Sequence, residues 1–400
     1  MKKSAKLSLA LALMMGTTAG VQVMTNNASA EVSDKFRMEL NGVSSYFHDT
    51  DKVYYGQTRT DNTGLGKGWN NYTRVQLTYN VDKDVQAVAR LHSNYDNAGD
   101  FAANKNTSGA YFDQSYIKYS DRKNNLHYIV GKKGMTLGQS MVYNSTGNLT
   151  GVQVSYGNFW DPTCFQLTYG DAKGGNRVWS AQLTQATSKA TSFNATYVRG
   201  ETVYSRKNPK KLQLKVDANG KPIVQNWNSL FNNDGTVKFD YTGTSEKRTD
   251  SFVDFGAKVK FHGVTMVCEW ARNQSGYNQK GQPLDKMAGD RQAWFIEFYT
   301  GPTNDFGSGL PVQKVGTHAF SVRWQDVGRY GTYVHNNTFY DGKKGLRLDY
   351  GVTVKKGLSV DFVYGRMQAK ENYGYGNSGH KIQKGDWSNI FVAALNYKFR

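Results

Sequence analysis

The chain has 400 residues, and its 50 Lys and Arg against 32 Asp and Glu give a formal net charge of +18. Hydrophobic residues make up 38% and the mean hydropathy is −0.65, and past the N-terminal segment no run approaches the roughly 18 consecutive apolar residues of a membrane helix. This excludes a helical membrane protein but leaves a transmembrane barrel open, because only alternate strand residues of a barrel face lipid.

Residues 1–30 predict a signal peptide that is removed on export. Lysines near the start precede the apolar run from Leu7 to Met15, and Ala28-Ser29-Ala30 has the small-x-small pattern of a cleavage site. The alternative, an N-terminal membrane anchor, is disfavoured because the apolar run is short. No Cys follows the cleavage site, which argues against a lipid anchor. We expect the mature protein to begin near Glu31.

The rest of the chain is dominated by short segments in which apolar and polar residues alternate. From 85 to 92, one face carries Val, Ala and Leu, whereas the other carries Gln86, Arg90 and His92. Segments 251–261 and 346–354 alternate in the same way. This period of two is typical of half-buried strands. We predict sixteen strands, at 35–47, 70–81, 85–95, 110–120, 125–133, 151–157, 163–171, 176–186, 191–200, 250–261, 264–273, 290–300, 316–326, 345–355, 357–368 and 388–399.

The connections between these segments tend to alternate between long and short. The first, 48–69, is long, and the next is the tight turn Asp82-Lys83-Asp84; His262-Gly263 is another tight turn. This asymmetry is typical of outer-membrane barrels, which have long outer loops and short periplasmic turns. Two connections do not follow the rule: 172–175 is short where a long one is expected, and 301–315 is long where a short one is expected. A missed or extra strand near those points is one interpretation.

The connection 201–249 is very long and basic. It contains Asn219-Gly220 between two alternating runs, 212–216 and 222–225, which predicts a hairpin inside the loop. Nucleic-acid binding is another interpretation of a basic loop, but the export signal and the lack of a recognisable binding module argue against a nucleic-acid partner.

The last strand resembles the closing strand of the outer-membrane porins. Phe391, Ala393, Leu395, Tyr397 and Phe399 share one face of an alternating segment that ends on an aromatic residue. The resemblance implies an all-β fold, a transmembrane antiparallel β-barrel of about 16 strands in the bacterial outer membrane, and a homotrimer. In that family the terminal Phe is recognised during assembly; here Arg400 follows it, which departs from the pattern.

The resemblance also implies that the third outer loop folds inward and narrows the pore. The matching segment spans 135–150, with the constriction candidates Met135, Gln139, Tyr143, Asn144 and Asn148. General porins usually carry acidic residues on this loop, whereas 135–150 contains no Asp or Glu. We therefore expect a polar or anion-tolerant constriction rather than a transverse field.

Charged residues on the polar faces of the predicted strands are expected to line the pore, because Arg or Lys on the lipid face near mid-bilayer costs about 2–4 kcal/mol. The alternative is that many of them pair with neighbouring carboxylates and create no net field. Acidic inward candidates also include Glu39, Asp254 and Asp361. The pore-lining set is Arg37, Arg74, Arg90, Lys118, Lys258, Arg291, Arg323, Arg347, Glu297 and Asp349.

The function favoured by these patterns is passive diffusion of small hydrophilic solutes, with a preference for anions. A surface adhesin or structural barrel acting through its long outer loops is the alternative. A barrel-embedded hydrolase is disfavoured because no Gly-x-Ser-x-Gly motif occurs, and a plugged active transporter needs about 22 strands. The histidines lack metal-ligand spacing, so no metal or cofactor is expected. Cys164 and Cys268 are expected to be unpaired thiols. The expected partners are outer-membrane lipid and small hydrophilic or anionic solutes.

Overall fold

A computed structural model describes the barrel and most of its short turns. The described residues are 35–49, 66–96, 109–158, 161–172, 176–210, 240–275, 291–301, 314–328, 331–333, 342–370, 373–374, 381–382 and 384–399. The predicted signal peptide, 1–30, and the predicted hairpin around 219–220 lie outside these residues.

Sixteen strands form one closed antiparallel barrel, in which each strand pairs with its neighbours in the chain and β1 closes on β18. Two short strands, β16 and β17, form a separate hairpin. The strands are β1 Phe36–Asp49, β2 Gly66–Asn80, β3 Val85–Asp96, β4 Gly109–Asp121, β5 Leu126–Leu137, β6 Tyr143–Tyr156, β7 Thr163–Ala172, β8 Asn176–Ala186, β9 Thr191–Lys210, β10 Asp240–Phe261, β11 Val264–Asn273, β12 Gln292–Thr300, β13 His318–Val327, β14 Lys343–Lys355, β15 Leu358–Ala369, β16 Tyr373–Gly374, β17 Lys381–Ile382 and β18 Trp387–Phe399.

The sixteen barrel strands confirm the sixteen predicted segments and the predicted fold class. The two irregular connections do not hide a further barrel strand, because β7 pairs directly with β8 and β12 pairs directly with β13. Leu40 is paired with Phe399, so the terminal aromatic strand closes the barrel against β1.

Several strands are longer than predicted. The connection predicted at 134–150 shrinks to 138–142, since β5 continues to Leu137 and β6 begins at Tyr143. The connection predicted at 201–249 loses both its ends, because β9 and β10 stay paired as far as Lys210 and Asp240. These extensions lack clean alternation, so the sequence pattern stops before the backbone pairing does.

The distribution of apolar and polar side chains is the reverse of that in a soluble protein. On β12, Trp294 and Phe298 face outward with 37% and 39% of their surface exposed, whereas the inward Glu297 is fully buried. The same alternation runs through β13, β14 and β15. The outward face thus carries a band of exposed aromatic and aliphatic side chains, among them Tyr156, Phe165, Tyr169, Phe193, Phe255, Phe320, Phe362 and Phe391.

Among the described residues, no helix has the length and apolar character needed to cross a membrane. Cys164 lies buried on β7 and Cys268 lies on β11, and the two thiols are not joined. The prediction of unpaired cysteines is therefore confirmed.

Candidate functional site

The turn between β5 and β6 lies inside the barrel and forms the centre of the candidate site. A register shift between Lys133 and Met135 redirects the hairpin, as β-bulges commonly do. At the tip, Gly138 and Ser140 have positive φ angles of 60° and 82°. We call residues 134–149 the inserted hairpin.

An apolar cluster fixes the inserted hairpin to the inner wall. Leu137, Met141 and Val142 are completely buried, and they pack with side chains from β8 to β13, including Phe252 and Phe295. Burial of side chains of this size contributes about 1.5–3 kcal/mol each. The hairpin therefore occupies one side of the lumen because its apolar tip covers apolar residues on the inner face of the wall.

A second outer connection helps to hold the tip. The backbone N–H of Tyr333 donates to the Val142 carbonyl oxygen at 3.0 Å. The Tyr333 ring lies 6.0 Å from the Tyr143 ring and 5.5 Å from the Phe252 ring, centroid to centroid. Residues 331–333 thus pack against the inserted hairpin.

Polar side chains of the wall bind the backbone of the tip. Glu269 on β11 accepts hydrogen bonds from the backbone N–H groups of Gln139, at 2.7 Å, and Met141, at 3.2 Å. Gln182 on β8 accepts from the N–H of Gly138 at 2.8 Å. The Gln139 side-chain amide donates to Asn194 at 2.9 Å. These bonds satisfy N–H groups that would otherwise be buried without partners.

The acidic residues at the tip belong to the wall and not to the hairpin. Asn194 donates to Asp254 Oδ1 at 3.0 Å, and a Cβ added at Gly138 would collide with both Asp254 Oδ1 and Glu269 Oε1. The tip therefore needs glycine for its left-handed backbone and for its close approach to the two carboxylates.

A first charged cluster lies on the inner face of β2, β3 and β4. Arg90 makes a bidentate ion pair with Asp113, through Nε to Oδ1 at 2.8 Å and Nη2 to Oδ2 at 2.7 Å. The Arg74 Nε atom donates to His92 Nδ1 at 2.9 Å and lies 3.6 Å from Asp113 Oδ2. His92 is stacked between Tyr72 and Tyr111. The positive charges of Arg74 and Arg90 are thus shared with one carboxylate.

A second charged cluster lies on β12, β13 and β14. Arg323 Nη2 donates to Glu297 Oε2 at 2.7 Å, and Arg347 Nε donates to Asp349 Oδ1 at 2.8 Å. The Ser321 hydroxyl lies between the two carboxylates, 2.7 Å from Glu297 Oε1 and 3.0 Å from Asp349 Oδ2. Two arginines and two acids therefore balance each other here.

The other pore-lining candidates are dispersed. Arg37 is exposed and lies 3.6 Å from Glu39, which also accepts from Lys398. Lys258 lies over the Tyr299 ring, with Nζ 5.8 Å from the centroid. Arg291 lies just before β12, and its carbonyl oxygen accepts from the Asn273 N–H. Lys118 borders a cavity between the inserted hairpin and the wall.

The five constriction candidates divide into three sets. Met135 and Tyr143 are buried in the apolar cluster that seats the hairpin, so their side chains attach it to the wall. Gln139 is polar and donates to Asn194 on β9, in the wall to which the tip is bound. Asn144 and Asn148 belong to β6, and their side chains lie outside the described residues.

Sequence reasoning missed Glu269 and the clustering of Asp113 with the arginines. Glu269 alternates along β11 with Met266, Cys268 and Trp270, so the sequence pattern predicts that it points inward. Its role in binding the hairpin tip was not predictable, because it contacts residues 128 and 130 positions away in the sequence. Asp113 is the extra residue at an irregularity between β3 and β4. No group of three or more potential metal ligands occurs in the described part of the chain.

No known protein-family profile matches the chain, and no curated protein matches it. Its fold is similar to that of OprB from Pseudomonas putida, in a high-pH structure, with a TM-score of 0.53 and 10% identity over 92% of this chain and 95% of that one. It is also similar to in-vitro folded OmpT, an outer membrane protein of Vibrio cholerae in a trimer form, with a TM-score of 0.51 and 11% identity over 92% of this chain and 100% of that one. The chain thus has an outer-membrane porin-like barrel fold, and at these identities the likeness concerns the fold alone.

Proposed function

We propose that this protein is an outer-membrane channel for passive diffusion of small hydrophilic solutes, exported by the signal peptide at 1–30. The observation that carries the proposal is the reversed burial pattern of a closed barrel. Its outward face exposes apolar side chains such as Phe320, whereas its inward face holds charged ones such as Arg323 and Glu297. An outer apolar belt suits lipid and a polar interior suits hydrated solutes.

A preference for anions is the finer part of the proposal. Arg323 and Arg347 are matched by Glu297 and Asp349, which supports the view that this cluster contributes little net field. Arg74 and Arg90 share one carboxylate, that of Asp113, so their cluster keeps one positive charge. Lys118 and Lys258 form no ion pair with a carboxylate among the described residues. These lysines and the excess charge beside Asp113 carry the anion preference, because uncompensated cations lower the barrier for negative solutes.

The protein acts without catalysis in this proposal. The Ser120 hydroxyl lies 2.9 Å from His127 Nδ1, which is the kind of contact a hydrolase would use. However, His127 Nε2 has no hydrogen-bond partner among the described residues. A catalytic histidine needs a second group on its other nitrogen to orient the ring, so this pair does not support hydrolysis.

We also propose a homotrimer in the membrane. The outward face of β1 to β3 includes a group of small residues between larger apolar ones such as Met38 and Leu91. Gly42, Ala87 and Ala89 belong to this group, and the Thr73 and Tyr397 hydroxyls are hydrogen-bonded beside it at 2.5 Å. Contact with a second copy would cover this hydroxyl pair. The OmpT structure to which the fold is similar is itself described as a trimer form.

Planar-bilayer recording tests the channel. Purified protein should insert with stepwise increases in conductance, and the reversal potential under a KCl gradient should indicate anion preference. Replacing Lys258 with Gln should move the reversal potential toward zero selectivity, whereas the same change at the exposed turn residue Lys189 should not. An absence of conductance would favour the adhesin alternative, and a cation preference would remove the charge argument.

A further inference from the structure

Below the inserted hairpin lies a cavity of about 400 Å³ that none of the charged clusters occupies. It is lined by residues of β4 to β7 and of the base of the hairpin. The lining residues on which the argument depends are Lys118, His127, Lys133, Gln153 and Gln166. A cavity of this volume is large enough for a small organic ligand.

The charged groups in the lining are all basic. Lys118 and Lys133 line the cavity, and the described lining contains no Asp or Glu. Neither lysine forms an ion pair among the described residues; Lys133 Nζ donates instead to the neutral Gln153 Oε1 at 3.0 Å. In this they differ from Arg90 and Arg323, whose guanidinium groups are bound to carboxylates.

His127 adds a buried donor to the two cations. The residue is buried, with 7% of its surface exposed. Ser120 contacts its Nδ1 atom at 2.9 Å, which leaves Nε2 without a partner among the described residues. A buried nitrogen without a partner is costly, and a ligand in the cavity would satisfy it. When the Ser120 hydroxyl donates to Nδ1, the proton of the neutral ring lies on Nε2.

The carboxylate in the adjoining turn is already engaged. The Asn158 backbone N–H donates to Asp161 Oδ2 at 2.6 Å, and this bond lowers the pKa of Asp161 below its usual value. Asp161 therefore remains charged and bound within its own turn, and it is not part of the described cavity lining.

We propose that this cavity is a binding site for a compact oxyanion, the phosphate or carboxylate group of a small solute. Lys118 and Lys133 supply the positive charge, and His127 Nε2 and the amide of Gln166 supply neutral donors. A cation would find no charged acceptor in the lining. The inference rests on the proposed function, because solutes would reach the cavity through the channel. It identifies oxyanions as the class of solute that binds inside the channel.

The test is isothermal titration calorimetry of the folded full chain in detergent, with inorganic phosphate in one series and acetate in the other. Binding of phosphate alone assigns the site to free phosphate, and binding of acetate assigns it to carboxylate solutes. Lys118→Gln and Lys133→Gln should each weaken the affinity at least tenfold, which corresponds to about 1.4 kcal/mol. Lys118→Arg should stay within threefold of the parent, which also shows that the site folds.

Lys189→Gln is the matched control, because it removes the same charge from an exposed turn outside the cavity. It should leave the affinity within twofold. Equal weakening by Lys189→Gln and Lys118→Gln, or no binding of either anion, would overturn the site. Calorimetry needs no membrane, so the two proposals can fail separately. Anion binding without bilayer conductance would support the binding site and contradict the channel, whereas conductance without anion binding would support the channel and contradict the site.

Discussion

Arg323 shows how a charged residue on the wall is held by its neighbours. It is paired across the sheet with Glu297 on one side and with Arg347 on the other, and its ion pair with Glu297 is almost completely buried. A buried pair of this kind contributes little in net terms, yet the loss of one member leaves an uncompensated charge. The cluster therefore tolerates single substitutions less well than its balanced net charge suggests.

We expect Arg323→Ala to lower the free energy of unfolding by about 3–5 kcal/mol, because Glu297 then stays buried without its cation. The double variant Arg323→Ala, Glu297→Ala should be more stable than the single one. Arg122→Ala provides the control, since its ion pair with Asp84 is exposed and such pairs contribute about 0–1 kcal/mol. Unfolding by urea measures the stability of the parent and the three variants. Equal losses of unfolding free energy in Arg323→Ala and Arg122→Ala would contradict the prediction.

Gly138 is a second position where one atom decides the outcome. Gly138→Ala places a Cβ against the carboxylates of Asp254 and Glu269, whereas Gly263→Ala has the same positive-φ cost but meets nothing within 4 Å. The left-handed backbone alone costs about 1–2 kcal/mol. We expect Gly263→Ala to show only that loss and Gly138→Ala to show a larger one together with altered single-channel conductance. Identical unfolding curves would show that the carboxylates do not confine the tip.

At the scale of the elements, the inserted hairpin depends on its apolar seat. Met141→Asp places a carboxylate in a fully buried apolar cluster, which costs several kcal/mol. We expect the tip to leave the wall and the single-channel conductance to change, while the barrel strands remain. Met141→Leu keeps the volume and apolar character, so it should conduct like the parent. Unchanged current in Met141→Asp would mean that the hairpin does not border the conducting path.

The strands were predictable because each carries its own signal. Alternation in segments such as 346–354 depends only on residues close together in the chain. It is strong because one face of each strand contacts lipid and the other contacts the polar interior. The seat of the hairpin was not predictable in the same way. Glu269 meets Gln139 across 130 positions of sequence, and the pairing of Arg90 with Asp113 depends on an irregularity between two strands. Both require the register, which periodicity does not supply.

At the scale of the whole molecule, the inner face is uneven in charge. The cluster of Arg323 and Arg347 is balanced by two carboxylates, whereas that of Arg74 and Arg90 keeps one positive charge in excess of Asp113. The hairpin tip faces Asp254 and Glu269. Among the described residues, Lys118, Lys133 and Lys258 on β4, β5 and β10 form no ion pair. The formal charge of +18 therefore says less about the lumen than about the surface as a whole.

The outer face is also uneven, and this leads to a prediction about assembly. Ala89 and Ala87 are small residues on the outward face of β3, whereas Ala195 is paired with Phe255, an exposed aromatic residue on the outward face of β10. Because a trimer contact needs close approach of the two walls, Ala89→Trp should reduce the trimer fraction seen by light scattering or cross-linking in detergent. Ala195→Trp, the same change on the lipid-facing side, should leave that fraction unchanged. If both variants stay fully trimeric, the small residues of β1 to β3 do not form the contact. If the parent is monomeric, the hydroxyl pair of Thr73 and Tyr397 needs a different explanation.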